Sequence, residues 1–446
     1  MRRQQPHPRL SHPHQRRGRT RPATAPAQGH RDVAGRTRSQ ASARLAALAL
    51  ALATLLGATA CRGAGGTSTA APGPAASGAP TATAAAGQTT GPHQPGVQPG
   101  AQWETVDPAK AGLDPAKLNE IAKTAETGKS NCLLVVRDGK IAGEWYFHGT
   151  HADTVQDVFS VTKSVTSTLV GIAQDDGDLK IGDSASTWIP TWGQTPSRAV
   201  TVRDVLSNDS GRRWSVGVDY AQLIRARDQT AFAVGLDQQH PPGQVWAYNN
   251  SAIQTLSQVL TGATGQAPAA FAASRLFGPL GMTHTSMTPD GAGNTRTYTG
   301  LHTTCRDLAR FGLLALDHGS WHGKQIVSAD WLRAATATSS TELNAAYGYL
   351  WWLNHEGVVG SPLVATDLSQ AGDQATHDGQ LVPAAPADMF WAIGLGNQIV
   401  QVDPGSGTVV VRLGPPEPSP RPPTFGPAEA SRVVTQAVTG PVAGAG

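Results

Sequence analysis

The sequence has few cysteines, little charge and no long apolar run. Three Cys among 446 residues are too few for a fold built on disulfides. No apolar run reaches the roughly 18 residues that a membrane-spanning helix needs. Charged residues make up only 15% of the chain, and the 50 Gly and 32 Pro stay below the share that indicates disorder throughout. The composition therefore indicates a folded domain joined to less regular segments.

The charges are divided unequally along the chain. Residues 1–102 contain 12 Arg, no Lys and a single acid, Asp32, whereas residues 103–446 carry a net charge of −8. The basic character therefore belongs to the N-terminal segment and the body is acidic. Because an acidic body repels phosphate backbones, we expect no nucleic-acid partner.

The N-terminal segment is patterned like an export signal. An Arg-rich stretch precedes the apolar residues 45–56, and small residues then lead to Cys61. This order resembles a bacterial lipobox, in which the Cys becomes lipidated after cleavage. We predict that residues 1–61 are a basic extension and a lipoprotein-type signal peptide. The alternatives are ordinary signal-peptidase cleavage near Ala60 and retention in the cytoplasm.

The segments on either side of the body lack the apolar residues that a packed core requires. Residues 62–102 consist almost only of Gly, Ala, Thr, Pro, Ser and Gln, which predicts a disordered linker. We predict a disordered tail over residues 441–446 and a single folded domain over residues 103–440. This domain is expected to be extracytoplasmic, either lipid-anchored to the cell membrane or secreted.

The body has predicted strands at both ends and helices between them. Strands are predicted at residues 133–136, 141–146, 390–393, 398–402 and 408–413. Residues 106–127 are predicted to begin with Asp-Pro turns and to continue as a helix that includes Leu118 and Ala125. Further helices are predicted at residues 161–176, 220–234, 251–263, 304–318, 328–336 and 427–438, and residues 355–388 lack periodicity. The pattern predicts an α+β fold, with an antiparallel sheet built from both chain ends, flanking helices and a helical subdomain.

Ser160 and Lys163 form the strongest chemical motif. A Ser followed three residues later by a Lys, at the start of a helix, places both side chains on one helical face. The hydroxyl needs a base to become a nucleophile, and a Lys shielded from water can be neutral enough to accept its proton. The alternative interpretation is a helix-capping Ser160 beside a solvated Lys163.

Tyr248 and Asn250 form a second candidate pair. They lie two residues apart on an extended turn, so their side chains point the same way. The Tyr can shuttle a proton, and the Asn can hold a substrate carbonyl or Lys163. The alternative is a turn in which Asn250 or Ser251 caps the following helix.

Together these motifs resemble the serine β-lactamase and penicillin-binding-protein-like superfamily. The resemblance is strongest to its class C-type branch of esterases, D-aminopeptidases and 6-aminohexanoate-oligomer hydrolases, and it spans about residues 103–440. Three further stretches contribute to it: LSNDSG at 206–211, PLGM at 279–282 and RDLARFG at 306–312. Within the first, Ser207-Asn208-Asp209 is not the family's Ser-Asp-Asn motif and is interpreted as a structural loop.

The resemblance implies a β-lactamase/transpeptidase-like fold and an acyl-enzyme mechanism. Ser160 would be the nucleophile, Lys163 and Tyr248 would move its proton, and Asn250 would position the substrate. No metal or organic cofactor is expected. The expected substrate is a small carboxylic ester or linear amide, cleaved by a monomer that touches a membrane only through a lipid anchor.

The third motif departs from the family pattern. The corresponding stretch is AIGLGNQ at 392–398, in which Ala392 replaces the Lys or His that binds a substrate carboxylate. The backbone N–H groups of Ser160 and Leu395, beside Gly394, would still form an oxyanion hole. The missing cation disfavours a true β-lactamase or D,D-peptidase, unless Arg212 or Arg213 supplies the charge.

Two alternative functions remain open. The protein could be a catalytically silent cell-surface binding or regulatory lipoprotein with the same fold, or a true β-lactamase or D,D-peptidase.

Several aromatic residues are candidates for lining a cleft that accepts apolar acyl groups, namely Trp214, Tyr220 and the pair Trp351-Trp352. The alternative is that these residues pack in the core. Export would favour a disulfide between Cys132 and Cys305, with two buried thiols as the alternative.

Overall fold

The computed structural model describes residues 97–367, 376–415 and 423–440. The predicted signal peptide, Cys61, most of the predicted linker and the predicted tail at 441–446 lie outside the described residues. Within the described ranges, no helix has the length and apolar character needed to cross a membrane.

A six-stranded antiparallel sheet forms the centre of the domain. Its strands are β1 (Cys132–Arg137), β2 (Lys140–Tyr146), β3 (Trp352–Leu353), β4 (Phe390–Gly394), β5 (Gln398–Asp403) and β6 (Thr408–Leu413). The order across the sheet is β2-β1-β6-β5-β4-β3. Strand β1 pairs with β6, with Leu134 opposite Val411. Both ends of the body therefore build one sheet, and the predicted α+β architecture is confirmed.

Helices cover both faces of this sheet. In the helix Cys305–Leu316, Gly312 lies so close to β6 that an added Cβ would be 2.5 Å from the side chain of Val409. On the opposite face, Gln401 of β5 accepts a hydrogen bond of 3.0 Å from Ser431 in the helix Pro427–Arg432. Burial on both faces explains why β1 and β6 are continuous apolar runs rather than alternating patterns.

Most helices and the short strands lie between β2 and β4. The α-helices are Pro115–Thr127, Val161–Asp175, Val202–Leu206, Leu223–Arg225, Gln229–Val234, Asn250–Gln254, Leu256–Thr264, Pro268–Ala272, Gly278–Leu280, Cys305–Leu316, Ala329–Thr336 and Pro427–Arg432. Single 3₁₀ or π turns are Ala185–Thr187, Pro190–Trp192, Pro196–Ala199, Val218–Gln222, Ala273–Phe277 and Val433–Ala437. The short strands are Gln156–Asp157, Val245–Trp246, Ser286–Met287, Leu301–Thr303, Ser320–Trp321, Lys324–Gln325, Gly357–Gly360, Thr366–Asp367 and Thr376–Gly379.

Several predicted elements differ in detail. The helix predicted at 220–234 is interrupted before Gln229, because the Asp228 side chain accepts from the Ala231 N–H at 2.8 Å and starts a new helix. In the region 355–388, which lacks periodicity, Gly357–Gly360 pairs with Thr376–Gly379. Such short pairings have too few residues to leave a periodic signal.

The boundary of the folded domain also differs from the prediction. Residues 97–102, assigned to the linker, contact the body: the Arg310 guanidinium donates to the carbonyl groups of Pro99 and Gly100 at 3.2 and 2.7 Å. The Gln98 side chain adds a hydrogen bond of 2.7 Å to the Asp317 carboxylate, and neither kind of contact can be read from the composition of the segment. Cys132 and Cys305 are joined by a disulfide, which ties β1 to the first residue of the helix Cys305–Leu316.

Candidate active site

Ser160 stands between a tight turn and a long helix. Phe159, directly before it, has a φ of 47°, in the left-handed region that non-glycine residues rarely adopt. The Asp157 carboxylate holds this turn by accepting from the Phe159 N–H at 2.9 Å. Ser160 is the N-terminal flanking residue of the helix Val161–Asp175, but its hydroxyl makes no capping hydrogen bond. The hydroxyl lines a cavity instead.

Lys163 lies one helical turn beyond Ser160 and is only 1% exposed. Its Nζ donates to Ser160 Oγ at 2.9 Å and to the Tyr298 carbonyl oxygen at 2.9 Å. Burial lowers the pKa of Lys163 to about 7, against the opposing effect of the Asp219 charge. A solvated Lys163 beside a capping Ser160 is therefore excluded, and near neutral pH the amine can accept a proton.

Tyr248 faces the same two side chains. Lys163 Nζ lies 4.7 Å from the centre of its ring, and the ring stacks on Trp352 with centres 5.7 Å apart. Burial raises the pKa of Tyr248 above its ordinary value, and the neighbouring Ser160 hydroxyl opposes this rise. At neutral pH Tyr248 therefore holds its proton and is a donor.

A buried carboxylate supports the second motif. Asp219 accepts hydrogen bonds from the Asn250 N–H and from the Ser251 hydroxyl, the latter at 2.6 Å. Burial raises the pKa of Asp219 to about 7, although these donors favour the charged form. Asn249 caps the following helix by accepting from the Ala252 N–H at 2.8 Å. The capping role considered for Asn250 or Ser251 thus belongs to Asn249.

Asn250 is left free to face the cavity. Its backbone N–H is used by Asp219, but its Oδ1 is buried without a hydrogen-bond partner among the described residues. Lys163 is held by Ser160 and Tyr298, so the expected role of Asn250 in holding Lys163 is taken by the Tyr298 carbonyl. An acceptor oxygen in this position suits an N–H group of a substrate.

The edge of the sheet approaches Ser160 at Gly394. A Cβ on Gly394 would lie 2.2 Å from the Val158 carbonyl oxygen and 3.2 Å from Ser160 N, so any side chain would force the two segments apart. Gly394 and Leu395 line the cavity. Ala392 is fully buried within β4, opposite Val400. This wall of the cavity therefore presents backbone and apolar groups, without a cation.

The cavity has a volume of about 350 Å³. It is lined by Asp157, Phe159, Ser160, Tyr220, Ile224, Gln229, Tyr248, Asn250, Arg296, Tyr298, Thr299, Gly300, Trp352, Pro362, Ile393, Gly394 and Leu395. No group of three His, Cys, Asp or Glu side chains suited to a metal ion occurs in the part of the chain that the structure describes.

Two of the predicted cleft tryptophans do not line the cavity. The Trp214 indole donates to the Tyr248 carbonyl oxygen at 3.1 Å, so Trp214 supports the second motif from outside the cavity. Trp351 is fully buried and stacks on Phe311 with ring centres 5.5 Å apart. Tyr220 and Trp352 do line the cavity. Sequence alone does not decide which of two adjacent tryptophans faces a cleft.

The loop Ser207-Asn208-Asp209 has the structural role expected of it. The Asn208 carbonyl oxygen accepts from the Ala247 N–H at 2.9 Å, and its side chain accepts from the Asn249 N–H at 3.2 Å. The loop therefore supports the turn that carries Tyr248. Asp219, Tyr298 and Arg296 were not predicted from the sequence, since single residues on irregular segments have no spacing that would mark them.

Comparisons with known proteins agree with this arrangement. The Beta-lactamase family model matches residues 122–421. A 6-aminohexanoate-dimer hydrolase from Paenarthrobacter ureafaciens is 23% identical over 250 residues, which cover 52% of this chain and 64% of that protein. A D-aminopeptidase from Cereibacter sphaeroides is 33% identical over 97 residues, 20% of this chain and 19% of that protein. The chain thus spans less than two thirds of each of these curated relatives.

Solved structures share the fold. A Bacillus anthracis protein, described as a candidate 6-aminohexanoate-dimer hydrolase, superposes with a TM-score of 0.57 at 19% identity, covering 77% of this chain and 88% of that one. A candidate beta-lactamase from Bacteroides dorei gives a TM-score of 0.56 at 20% identity, covering 72% of this chain and 97% of that one.

Proposed function

The chain belongs to the beta-lactamase family, and from that premise we propose that it is a serine hydrolase that cleaves linear amides or carboxylic esters through an acyl-enzyme on Ser160. The observation that carries this proposal is the 2.9 Å contact between Lys163 Nζ and Ser160 Oγ, with the Lys163 pKa lowered to about 7. A base of this strength, in contact with the hydroxyl, is what an acyl-transfer reaction requires near neutral pH.

In the acylation step, the Ser160 proton moves to the neutral Lys163 amine as Oγ attacks the substrate carbonyl carbon. The resulting oxyanion lies between the N–H groups of Ser160 and Leu395, at the close approach that Gly394 permits. When the intermediate collapses, the bond to the leaving nitrogen or oxygen breaks. Tyr248 donates its proton to that atom and is reprotonated by the Lys163 ammonium.

In the deacylation step, a water molecule attacks the acyl carbon. The neutral Lys163 amine accepts the water proton, Ser160 Oγ leaves with the proton that Tyr248 donates, and the Lys163 ammonium then reprotonates Tyr248. The Asn250 amide, whose oxygen has no partner in the described part of the chain, orients the substrate in both steps. Tyr220, Ile224 and Trp352 provide apolar walls for its carbon chain.

The test uses Ser160→Ala together with a matched variant on the same helix. Ser167→Ala removes a buried hydroxyl that has no partner among the described residues, so it controls for general damage to the helix. We expect the wild type and Ser167→Ala to react with a fluorophosphonate probe and to hydrolyse a short nitrophenyl ester or a short linear amide. Ser160→Ala should lose both properties. A wild type that neither labels nor turns over would support the silent binding lipoprotein instead.

The second candidate function, a true β-lactamase or D,D-peptidase, is disfavoured by Ala392. A charge-assisted hydrogen bond contributes about 1.5–3 kcal/mol, so its absence weakens a carboxylate bound at this sheet edge by roughly 10–100-fold. We expect kcat/KM for a chromogenic cephalosporin to fall well below that for the neutral nitrophenyl ester. The reverse order would favour the β-lactamase.

We also propose that the protein is exported and lipidated at Cys61. The apolar residues 45–56 before small residues and Cys61 support export, and so does a disulfide between Cys132 and Cys305. In a bacterial host, Cys61→Ser should move the protein from the membrane fraction to the soluble fraction. An unchanged distribution would exclude the lipid anchor.

A further inference from the structure

Arg296 brings a positive charge into the cavity from an element other than the sheet. It lies on the loop before the strand Leu301–Thr303 and lines the cavity together with Tyr298 and Gly300. Its aliphatic stem packs on Gly300, where an added Cβ would be 3.3 Å from Arg296 Cβ and 3.4 Å from its Cδ. The stem is therefore held against the cavity wall.

The Arg296 guanidinium has no partner in the described part of the protein. Its Nε is buried and makes no hydrogen bond there, and its side chain forms no ion pair. The other charged side chain in the lining, Asp157, is used by the Phe159 N–H and does not pair with Arg296. The side chain as a whole is half-buried, and a buried donor nitrogen without an acceptor is unfavourable, so the unpaired Nε at the cavity indicates a ligand.

The two arginines that the sequence offered as replacement cations are both occupied. The Arg212 guanidinium donates to the Ser197 hydroxyl and to the Ala233 carbonyl oxygen, and it lies 4.1 Å from the Trp192 ring centre. Arg213 pairs with Asp237 at 3.7 Å. Neither residue lines the cavity, which leaves Arg296 as its source of positive charge among the described residues.

We propose that Arg296 binds a carboxylate of the substrate, so that the site prefers esters or amides that carry an acid group away from the bond being cleaved. The planar guanidinium offers paired N–H donors that match a carboxylate. This inference rests on the proposed function and adds its substrate class. The Arg296 guanidinium is distinct from the Lys or His that the third motif lacks. Arg296 lies on the loop before Leu301, whereas the third motif lies at the sheet edge.

The experiment compares matched pairs of esters in which one member carries a carboxylate and the other a methyl group or a hydrogen in its place. For the acyl half, the pair is 4-nitrophenyl hydrogen glutarate and 4-nitrophenyl valerate. For the leaving half, it is 3-carboxyphenyl acetate and phenyl acetate. For each pair, the ratio of kcat/KM values, acidic over neutral, is measured in wild type, Arg296→Gln, Arg296→Lys and Arg225→Gln. Arg225 is an exposed arginine outside the cavity lining and controls for net charge.

We expect Arg296→Gln to lower the ratio by about 10–100-fold in one of the two pairs, which also identifies the half that carries the carboxylate. Arg296→Lys should retain part of the preference, and Arg225→Gln should leave the ratio unchanged. If Arg296→Gln leaves the acidic-over-neutral ratio of kcat/KM unchanged in both pairs, the inference is wrong. The proposed function would remain intact. If no ester is turned over in a Ser160-dependent manner, the proposed function itself fails.

Discussion

The two walls of the cavity differ in origin and in chemistry. The catalytic wall, formed by Ser160, Lys163 and Gly394, belongs to a long helix and to the edge of the central sheet. The recognition wall, formed by Asn250 and Arg296, belongs to the first residue of the short helix Asn250–Gln254 and to the loop before the strand Leu301–Thr303, and both side chains have polar atoms without partners among the described residues. The difference indicates that bond-breaking groups are fixed by long regular elements, whereas substrate-binding groups come from shorter and less regular segments.

The two walls meet at Lys163. Its amine touches Ser160 on one side and the Tyr298 carbonyl on the other, and the charge of Asp219, which also binds the Asn250 N–H, acts on its pKa. A change in the catalytic wall should therefore reduce turnover of every substrate, whereas a change in the recognition wall should alter the choice among substrates.

The largest effect is expected for Lys163→Met. Methionine fills the same buried space without an amine, so the fold should be retained while proton transfer from Ser160 is lost. We expect kcat to fall by about 10²–10⁴-fold for neutral and acidic esters alike. Lys163→Arg should be similarly inactive, because a guanidinium stays charged and cannot act as a base. A loss below about tenfold, or one confined to a single substrate, would contradict the assignment of Lys163 to the catalytic wall.

The next largest effect is expected for Gly394→Ala. The new Cβ would meet the Val158 carbonyl oxygen and would push the sheet edge away from Ser160 N. Losing one oxyanion donor costs about 10²–10³-fold in kcat, and we expect a loss of that order with little change in the Ser160–Lys163 contact. Gly182→Ala is the matched control, since its Cβ would have no neighbour within 4 Å. Full activity in Gly394→Ala would exclude the proposed oxyanion hole.

The catalytic wall was far more predictable from sequence than the recognition wall. The Ser160–Lys163 spacing puts both side chains on one helical face, and the family resemblance indicated Gly394 beside Ser160 and Asn250 in the recognition wall. Arg296 and Asp219 acquire their positions through the tertiary packing of irregular segments, which local patterns do not encode. The same limit explains Trp214 and Trp351, whose burial depends on neighbours distant in the chain.

The smallest effect concerns pH, and it tests the junction between the walls. Lys163 must be neutral to accept the Ser160 proton, so kcat/KM for a neutral ester should fall about tenfold per unit below a pH of about 7 and level off above it. The Asp219 charge stabilises the ammonium form and so raises the Lys163 pKa. Asp219→Asn removes that charge, and the acid limb of the profile should move to lower pH.

Asp209→Asn is the control for this shift. Burial raises the pKa of Asp209 to about 7 as well, but its charge is not among those that act on Lys163. If the acid limb of the pH profile reflects the titration of the coupled Lys163–Asp219 pair, the limb should move in Asp219→Asn. It should keep its position in Asp209→Asn. A merely structural role for Asp219 would lower the plateau and leave the limb where it was. An upward shift in Asp219→Asn would contradict the proposed charge coupling between Asp219 and Lys163.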